Sequence, residues 1–235
     1  MPATSIYDLM KEFIPNDHCR QSRASEMAKN IIAKKKPQMI VDLGCGAGNS
    51  VDFFRKCAPQ ARWVGVDIEQ SPEVMQRIRE DADFLSYNGV DLPFEDGSVD
   101  FIYSNQVLEH VRFPERLLRD VRRVLSSDGI FVGQTSQLEP YHSFSYWNFT
   151  VFGFTQICRD AGLRITELRP GIDARTLFER TYKGRPPEYS KWFSEESPLN
   201  QEIEYNAKLQ SKRNSIINFR KLQNCGQFCF VCSAI

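Results

Sequence analysis

The stretch Val41-Asp42-Leu43-Gly44-Cys45-Gly46-Ala47-Gly48-Asn49-Ser50 constrains this chain more than any other segment. An apolar run from Met39 stops at three glycines spaced two apart, and a helix-compatible segment, 50–57, follows. That pattern is a strand, a tight glycine-rich turn and a helix start. In such a turn the backbone amides can come close to a bound nucleotide-like ligand. A second apolar run, 63–66, ends at Asp67. An acid at that place can accept hydrogen bonds from both hydroxyls of a ribose.

The spacing narrows the ligand. A dinucleotide fingerprint counted from Gly44 and Gly46 needs its third glycine at 49, which is Asn49 here. Asp42, just before the turn, suits a positively charged ligand group such as an ammonium or sulfonium better than a pyrophosphate. No Gly-Lys-Ser/Thr follows the glycines, so a P-loop is excluded. Taken alone, the turn leaves open an ordinary strand-to-helix connection.

The rest of the chain alternates. Strands are predicted at 39–43, 62–67, 83–87, 99–104 and 129–135, with helices at 49–57, 72–80 and 114–125. That order means a parallel sheet with helices on both faces. The helix at 114–125 opens on Pro114, favoured in a first turn, and carries Leu117, Leu118, Val121, Val124 and Leu125 on one stripe. Residues 4–36 read as helices broken at Pro15-Asn16-Asp17. Beyond Thr135 come an aromatic loop (141–150), a helix (151–161), a strand (164–169) and a last strand (227–234). Residues 171–225 between those two strands are too many for a structureless loop. They read as a mostly helical addition, a lid or a subunit contact. The expectation is one domain: a helical cap (1–36), a core sheet (37–170 and 226–235) and the insertion (171–225).

Several ordered motifs resemble one family. Val41 to Gly48, Gly65-Val66-Asp67-Ile68, Leu92-Pro93-Phe94-Glu95-Asp96-Gly97-Ser98-Val99-Asp100, Ser104-Asn105-Gln106-Val107-Leu108-Glu109-His110-Val111 and Leu125 to Phe131 together resemble the class I S-adenosylmethionine-dependent methyltransferases, in the subgroup acting on quinone- and sterol-type small molecules. The match runs from about Gln38 to Thr135. The resemblance implies a Rossmann-like, doubly wound α/β sheet of seven strands, mostly parallel with an antiparallel last strand. It implies S-adenosylmethionine as methyl donor, with the methionine part at Gly44, Cys45 and Gly46, its ammonium near Asp42, the ribose at Asp67 and the adenine against Ile68. Asn88 and Gly89 stand where the family has an acid and a small residue reading the adenine edge. Asn105 and Gln106 would flank the reactive methyl. The family commonly joins its last two strands by a short turn, so the 171–225 insertion is a departure.

The acceptor is less constrained. O-methylation removes a proton and benefits from a general base. The chain has three histidines. His142 lies in the loop after the fifth strand, where the acceptor belongs, and is the first candidate. His110 is the second, with a structural histidine at a helix start as its plain alternative. Glu139 is a further candidate. Tyr141, Phe144, Tyr146, Trp147 and Phe149 read either as core filler or as a face for a sugar or flat molecule. Residues 139–143 and 147–150 resemble bacterial methyltransferases of cell-surface glycans, which points to O-methylation of a saccharide or similar polar small molecule; C- or N-methylation of a quinone-like or amine small molecule, and a non-catalytic assembly role for the fold, stay open.

Thirty Lys and Arg balance thirty Asp and Glu, which argues against nucleic acid as the main partner. Lys34-Lys35-Lys36 reads as a helix C-terminus. No stretch approaches a membrane span, and residues 1–5 lack the pattern of a secretion signal. Seven cysteines without a disulfide rhythm point to a reduced, cytoplasmic setting. Cys225, Cys229 and Cys232 read as buried thiols, and no metal is expected. A homodimer is an open option.

Overall fold

The computed structural model describes residues 5–235; residues 1–4, on which much of the secretion-signal reading rests, lie outside the described residues. The elements run α1 (Ile6–Met10), α2 (Ala24–Lys35), β1 (Met39–Leu43), α3 (Val51–Cys57), β2 (Arg62–Ile68), α4 (Pro72–Met75), β3 (Asp83–Tyr87), β4 (Val99–Asn105), a 3-10 turn (Leu108–His110), α5 (Pro114–Val124), β5 (Leu125–Ser136), α6 (Val151–Asp160), β6 (Leu163–Pro170), α7 (Ala174–Tyr182), a second 3-10 segment (Pro187–Phe193), α8 (Pro198–Leu209), α9 (Asn214–Asn224) and β7 (Gln227–Ala234). The strands form one sheet in the order β3-β2-β1-β4-β5-β7-β6, with β7 antiparallel to both neighbours. This is the expected doubly wound architecture. Its strand order reverses between β1 and β4, the place where open α/β sheets hold their ligands.

Period-two alternation divides the core between the two faces. Val41, Leu43, Val64, Val66, Ile102, Phe131, Phe228 and Phe230 pack on one side with Leu117, Leu118 and Val121 of α5 and Phe154 of α6. Ile40, Trp63, Phe101, Tyr103, Val132 and Val231 pack on the other with Ala28 and Ile32 of α2 and Phe54 of α3. Because both faces are covered, the central strands are nearly continuous apolar runs. The lysine run ends α2 as expected. Lys34 and Lys35 fill its last turn, Lys36 takes the left-handed cap (φ +50°) and Lys35 Nζ donates to the Asp128 carbonyl.

Three expectations need correction. The helix predicted at 72–80 stops at Met75. Beyond it Arg77 turns inward, donating from Nε and Nη2 to the Gly46 carbonyl (2.9 and 2.6 Å) and lying 4.0 Å over the Phe84 ring. Those side-chain bonds hold the backbone off the helical path, and Ile78 is left exposed. His110 sits in a 3-10 turn, not at a helix start. The aromatic loop is not core filler as a whole: Phe149 is buried, whereas Tyr141, Phe144, Tyr146 and Trp147 are exposed.

The segment between β6 and β7 folds into α7, α8 and α9 and grips the N-terminal residues 15–22. Lys221, with no exposed side-chain surface, donates to the Cys19 carbonyl (2.6 Å), Glu196 (2.6 Å) and Glu204 (2.7 Å). The Asn218 carboxamide donates to the Pro15 and His18 carbonyls, and Asn200 to Gln21. Asp173 caps α7 through the Thr176 amide and also accepts from the Leu199 amide.

Candidate active site

The candidate site begins at the glycine turn. Gly44, Gly46 and Gly48 all have positive φ (+76°, +50° and +81°), which only glycine adopts without cost. A Cβ on Gly44 would stand 2.2 Å from Val107 Cγ2, so the segment after β4 lies directly on the turn. Asp67, at the end of β2, accepts the Gly46 amide at 2.7 Å on Oδ2 and the Ile68 amide at 2.8 Å on Oδ1. Burial raises the Asp67 carboxyl above its ordinary range, although these two amides oppose the shift. Each oxygen keeps a lone pair for a further donor.

Asp42 is the telling residue. It is 4% exposed and accepts from the Ser50 hydroxyl. No Lys or Arg pairs with it among the described residues, and burial pushes its carboxyl up to about 7. A buried acid short of a counter-ion fits a ligand that brings a cation. Cys45, beside it, is a buried thiol pushed up to about 12 by burial, which makes it a packing group and not a nucleophile. Ile68, partly exposed at the strand end, offers an apolar surface. Gly89 keeps positive φ (+87°) close by, with Ile68 Cγ2 3.9 Å from where its Cβ would be. Asn88 is exposed and spends its side chain locally: its oxygen accepts the Val90 and Asp91 amides, and its nitrogen donates to Asp91 Oδ2. The glycine cradle, the unpaired buried acid and the ribose-height carboxylate fit a donor with an amino-acid ammonium and a ribose.

The far wall is built at the ends of β4 and β5. Asn105 is exposed at the tip of β4, and Gln106 takes the left-handed region (φ +58°), rare outside glycine. That conformation drops its carboxamide 3.0 Å from Glu109 Oε1 and 3.3 Å from Glu139 Oε2, donating to both with its nitrogen turned toward them. Glu109 is wholly buried and accepts from Thr135 Oγ1 at 2.9 Å, with Ser136 Oγ 3.2 Å from its other oxygen; burial raises it to about 7. Glu139 accepts from Ser136 Oγ (2.6 Å) and Gln227 Nε2 (2.9 Å). The His110 and His142 rings meet edge to face, centroids 5.2 Å apart. Burial lowers His110, and the neighbouring His142 lowers it further. His142 Nδ1 lies 3.3 Å from the Pro140 carbonyl and 3.8 Å from Glu139 Oε1.

The aromatic loop hangs on the same turn. The Tyr146 and Trp147 amides donate to the Glu109 carbonyl, and Trp147 Nε1 donates to the Val111 carbonyl. Asp42, Asp67 and Asn88 thus lie at or just beyond the carboxyl ends of β1, β2 and β3, and the two histidines meet beyond the ends of β4 and β5. Sequence reasoning missed Glu109, Ser136, Gln227 and Arg77 as site neighbours. In the sequence only the adjacency of Glu109 to His110 within 104–111 signals it. A hollow of about 610 Å³ between α2 and β6, lined by Arg20, Lys34, Glu167 and Arg169 among others, contains none of the predicted site residues.

Residues 41–133 match the family described as Methyltransferase domain. Ajmaline N-methyltransferase of Rauvolfia serpentina is 26% identical over 105 residues, 42% of this chain and 36% of that protein. The chain spans about a third of the length of the curated relatives it matches first. Among solved structures, an S-adenosylmethionine-dependent methyltransferase of Mesorhizobium loti superposes with TM-score 0.54 at 17% identity, covering 90% of this chain and 98% of that one. The [4+2]-cyclase SpnF superposes with TM-score 0.56 at 14% identity, covering 98% and 94%. These two likenesses are of fold.

Proposed function

We propose that this chain, a member of the class I S-adenosylmethionine-dependent methyltransferases through its residues 41–133, methylates a hydroxyl of a saccharide or similar small polar metabolite. The observation that carries the donor is Asp42: a buried carboxyl without a counter-ion, one strand residue before the glycine turn. When bound, S-adenosylmethionine supplies an electrophilic sulfonium methyl, so the protein's task is alignment, exclusion of water and removal of one proton. Asp42 would hold the ammonium, the Gly44–Gly46 backbone the methionine part, Asp67 the ribose hydroxyls, and Ile68 with Gly89 the adenine. The Asn88 amide reads its edge only if the turn at 88–91 opens.

On the acceptor side, His142 turns Nδ1 to the Pro140 carbonyl and leaves Nε2 to receive the proton that the hydroxyl loses. His110 backs that ring. The exposed rings of Tyr141, Tyr146 and Trp147 provide stacking surface for a sugar. Transfer to an amine is the second reading. It is favoured by Glu109 and Glu139, two carboxylates that meet no Lys or Arg among the described residues and would hold an ammonium. The insertion, packed on residues 15–22, serves as cap or contact surface, and free thiols throughout favour a reducing compartment.

Calorimetric titration with S-adenosylhomocysteine, followed by turnover on hydroxylated and amine acceptors, tests the reading. No binding at millimolar ligand would end it. For the base, His142→Ala should cut turnover on a hydroxyl by about 10²-fold or more while leaving S-adenosylhomocysteine affinity unchanged. Near-wild-type turnover in that variant removes His142 from the role.

A further inference from the structure

We propose that Glu109, His110 and His142 form a binding site for one divalent transition-metal ion of the zinc and cobalt class, and that its occupancy shuts off the acceptor side of the cleft. The three residues each offer one ligand atom, and these atoms all lie within 4.8 Å of one another. Two imidazoles and one carboxylate are a donor set that selects zinc, cobalt, nickel or ferrous iron over magnesium or calcium. Ligands about 2.1 Å from a tetrahedral ion stand roughly 3.4 Å apart, so closing the site takes a movement of about 1 Å per ligand atom. Two edge-to-face rings, neither of them fully buried, make that adjustment without backbone change.

Three further features of the cluster point the same way. Glu109 is wholly buried, with the Thr135 hydroxyl donating to one oxygen and the Gln106 carboxamide nitrogen to the other, so the carboxylate is held in place before any ion arrives. No Lys or Arg compensates it or Glu139 among the described residues, and a buried, uncompensated acid beside two imidazoles is completed by a cation. His142 places Nδ1 against the Pro140 carbonyl, with Glu139 Oε1 behind it at 3.8 Å. A backbone carbonyl or carboxylate on the far nitrogen is how metal-ligating histidines are oriented, and it leaves Nε2 for the ion. Glu139 is thus an orienting residue, not a ligand.

The inference deepens the O-methylation reading and in its second half rests on it. An imidazole whose lone pair holds a metal cannot take a proton from a hydroxyl. The ion and the acceptor therefore compete for His142, and occupancy is a brake on the reaction.

The full chain, stripped of metal by chelator and dialysis, is titrated at neutral pH with zinc by calorimetry and with cobalt by visible absorption. The expected result is about one tightly bound equivalent, with intensified cobalt bands of a low-coordinate site, and none with millimolar magnesium. His110→Ala, His142→Ala and Glu109→Gln should each weaken zinc by more than about 10-fold, and Glu139→Gln should weaken it by roughly 10-fold as an orienting residue. S-adenosylhomocysteine affinity, read in parallel, shows that each variant is folded. Absence of zinc binding at about 100 µM, or wild-type affinity in both histidine variants, overturns the site. One equivalent of zinc should abolish turnover and chelator should restore it; zinc-stimulated turnover overturns the brake. Metal binding is measured without any acceptor. A chain that binds zinc but methylates no hydroxyl therefore refutes the reaction and keeps the site, and a chain that methylates hydroxyls and ignores zinc does the reverse.

Discussion

Replacing Asp42 by Asn should stabilise the unliganded protein in mild alkali and cripple donor binding. Burial lifts the Asp42 carboxyl from an ordinary 3.8 to about 7. A group whose folded value is raised contributes stability that is complete below pH 3.8 and is lost as pH rises to about 7. Three units correspond to about 4 kcal/mol lost across that window. The Asn side chain carries no charge to desolvate and still accepts from Ser50. Its amide nitrogen, however, is a buried donor without a partner, at a cost of roughly 1–3 kcal/mol. The net expectation is a variant about 1–3 kcal/mol more stable than wild type at pH 8 and less stable than wild type at pH 4. Urea unfolding at both pH values measures it. The same residue predicts a proton signature. An ammonium beside Asp42 returns the carboxyl to its charged form, so S-adenosylhomocysteine binding should release about 0.9 proton at pH 6 and about 0.1 at pH 8. Calorimetry in buffers of differing ionisation enthalpy reads that number, and Asp42→Asn should erase it along with most of the affinity. Parallel pH–stability curves for the two proteins, or equal proton release at pH 6 and 8, would refute the assignment of Asp42 as an uncompensated buried acid.

Other expectations follow from named contacts. Gly44→Ala forces a Cβ to 2.2 Å from Val107 Cγ2 at a φ of +76°, and should cost about 2–4 kcal/mol by denaturant midpoint together with donor binding. Adding Val107→Ala should return part of that stability and leave the backbone strain, about 1–2 kcal/mol; a double variant as weak as the single would discount the clash. Lys221→Met removes the one ammonium shared by Cys19, Glu196 and Glu204, and should cost on the order of 3 kcal/mol. It should also free residues 15–22 for protease, with unchanged cleavage arguing against the clamp.

The strand-turn-helix that carries the proposed donor residues was legible because glycine spacing, an acid at a strand end and apolar alternation are local signals. Val41 to Gly48 and Asp67 stand where the sequence put them. The acceptor half depends on long-range pairing. Glu109 meets Ser136 and Thr135 only because β4 and β5 run in register, and Gln227 arrives from a strand 121 positions after Gln106. The lost end of the helix after Pro72 had a helix-compatible sequence; only the tertiary pull of the Gly46 carbonyl and the Phe84 ring on Arg77 decides against it. Lys221 looked like any surface lysine in a polar helix, because nothing near it in sequence shows that Glu196, Glu204 and Cys19 converge there.

That convergence sets a timetable for the growing chain. Pro15 waits for Asn218 and Cys19 for Lys221, separations of 203 and 202 residues. At ordinary synthesis rates of about 5–20 residues per second, these bonds from α9 come roughly 10–40 s after residues 15 and 19 are made. The strands and glycine turn of residues 39–136 emerge well before that. The nascent protein therefore passes through an interval in which the glycine turn can already be formed while residues 15–19 still lack their clamp from α9, and the final closure couples that segment to α9 in one late event.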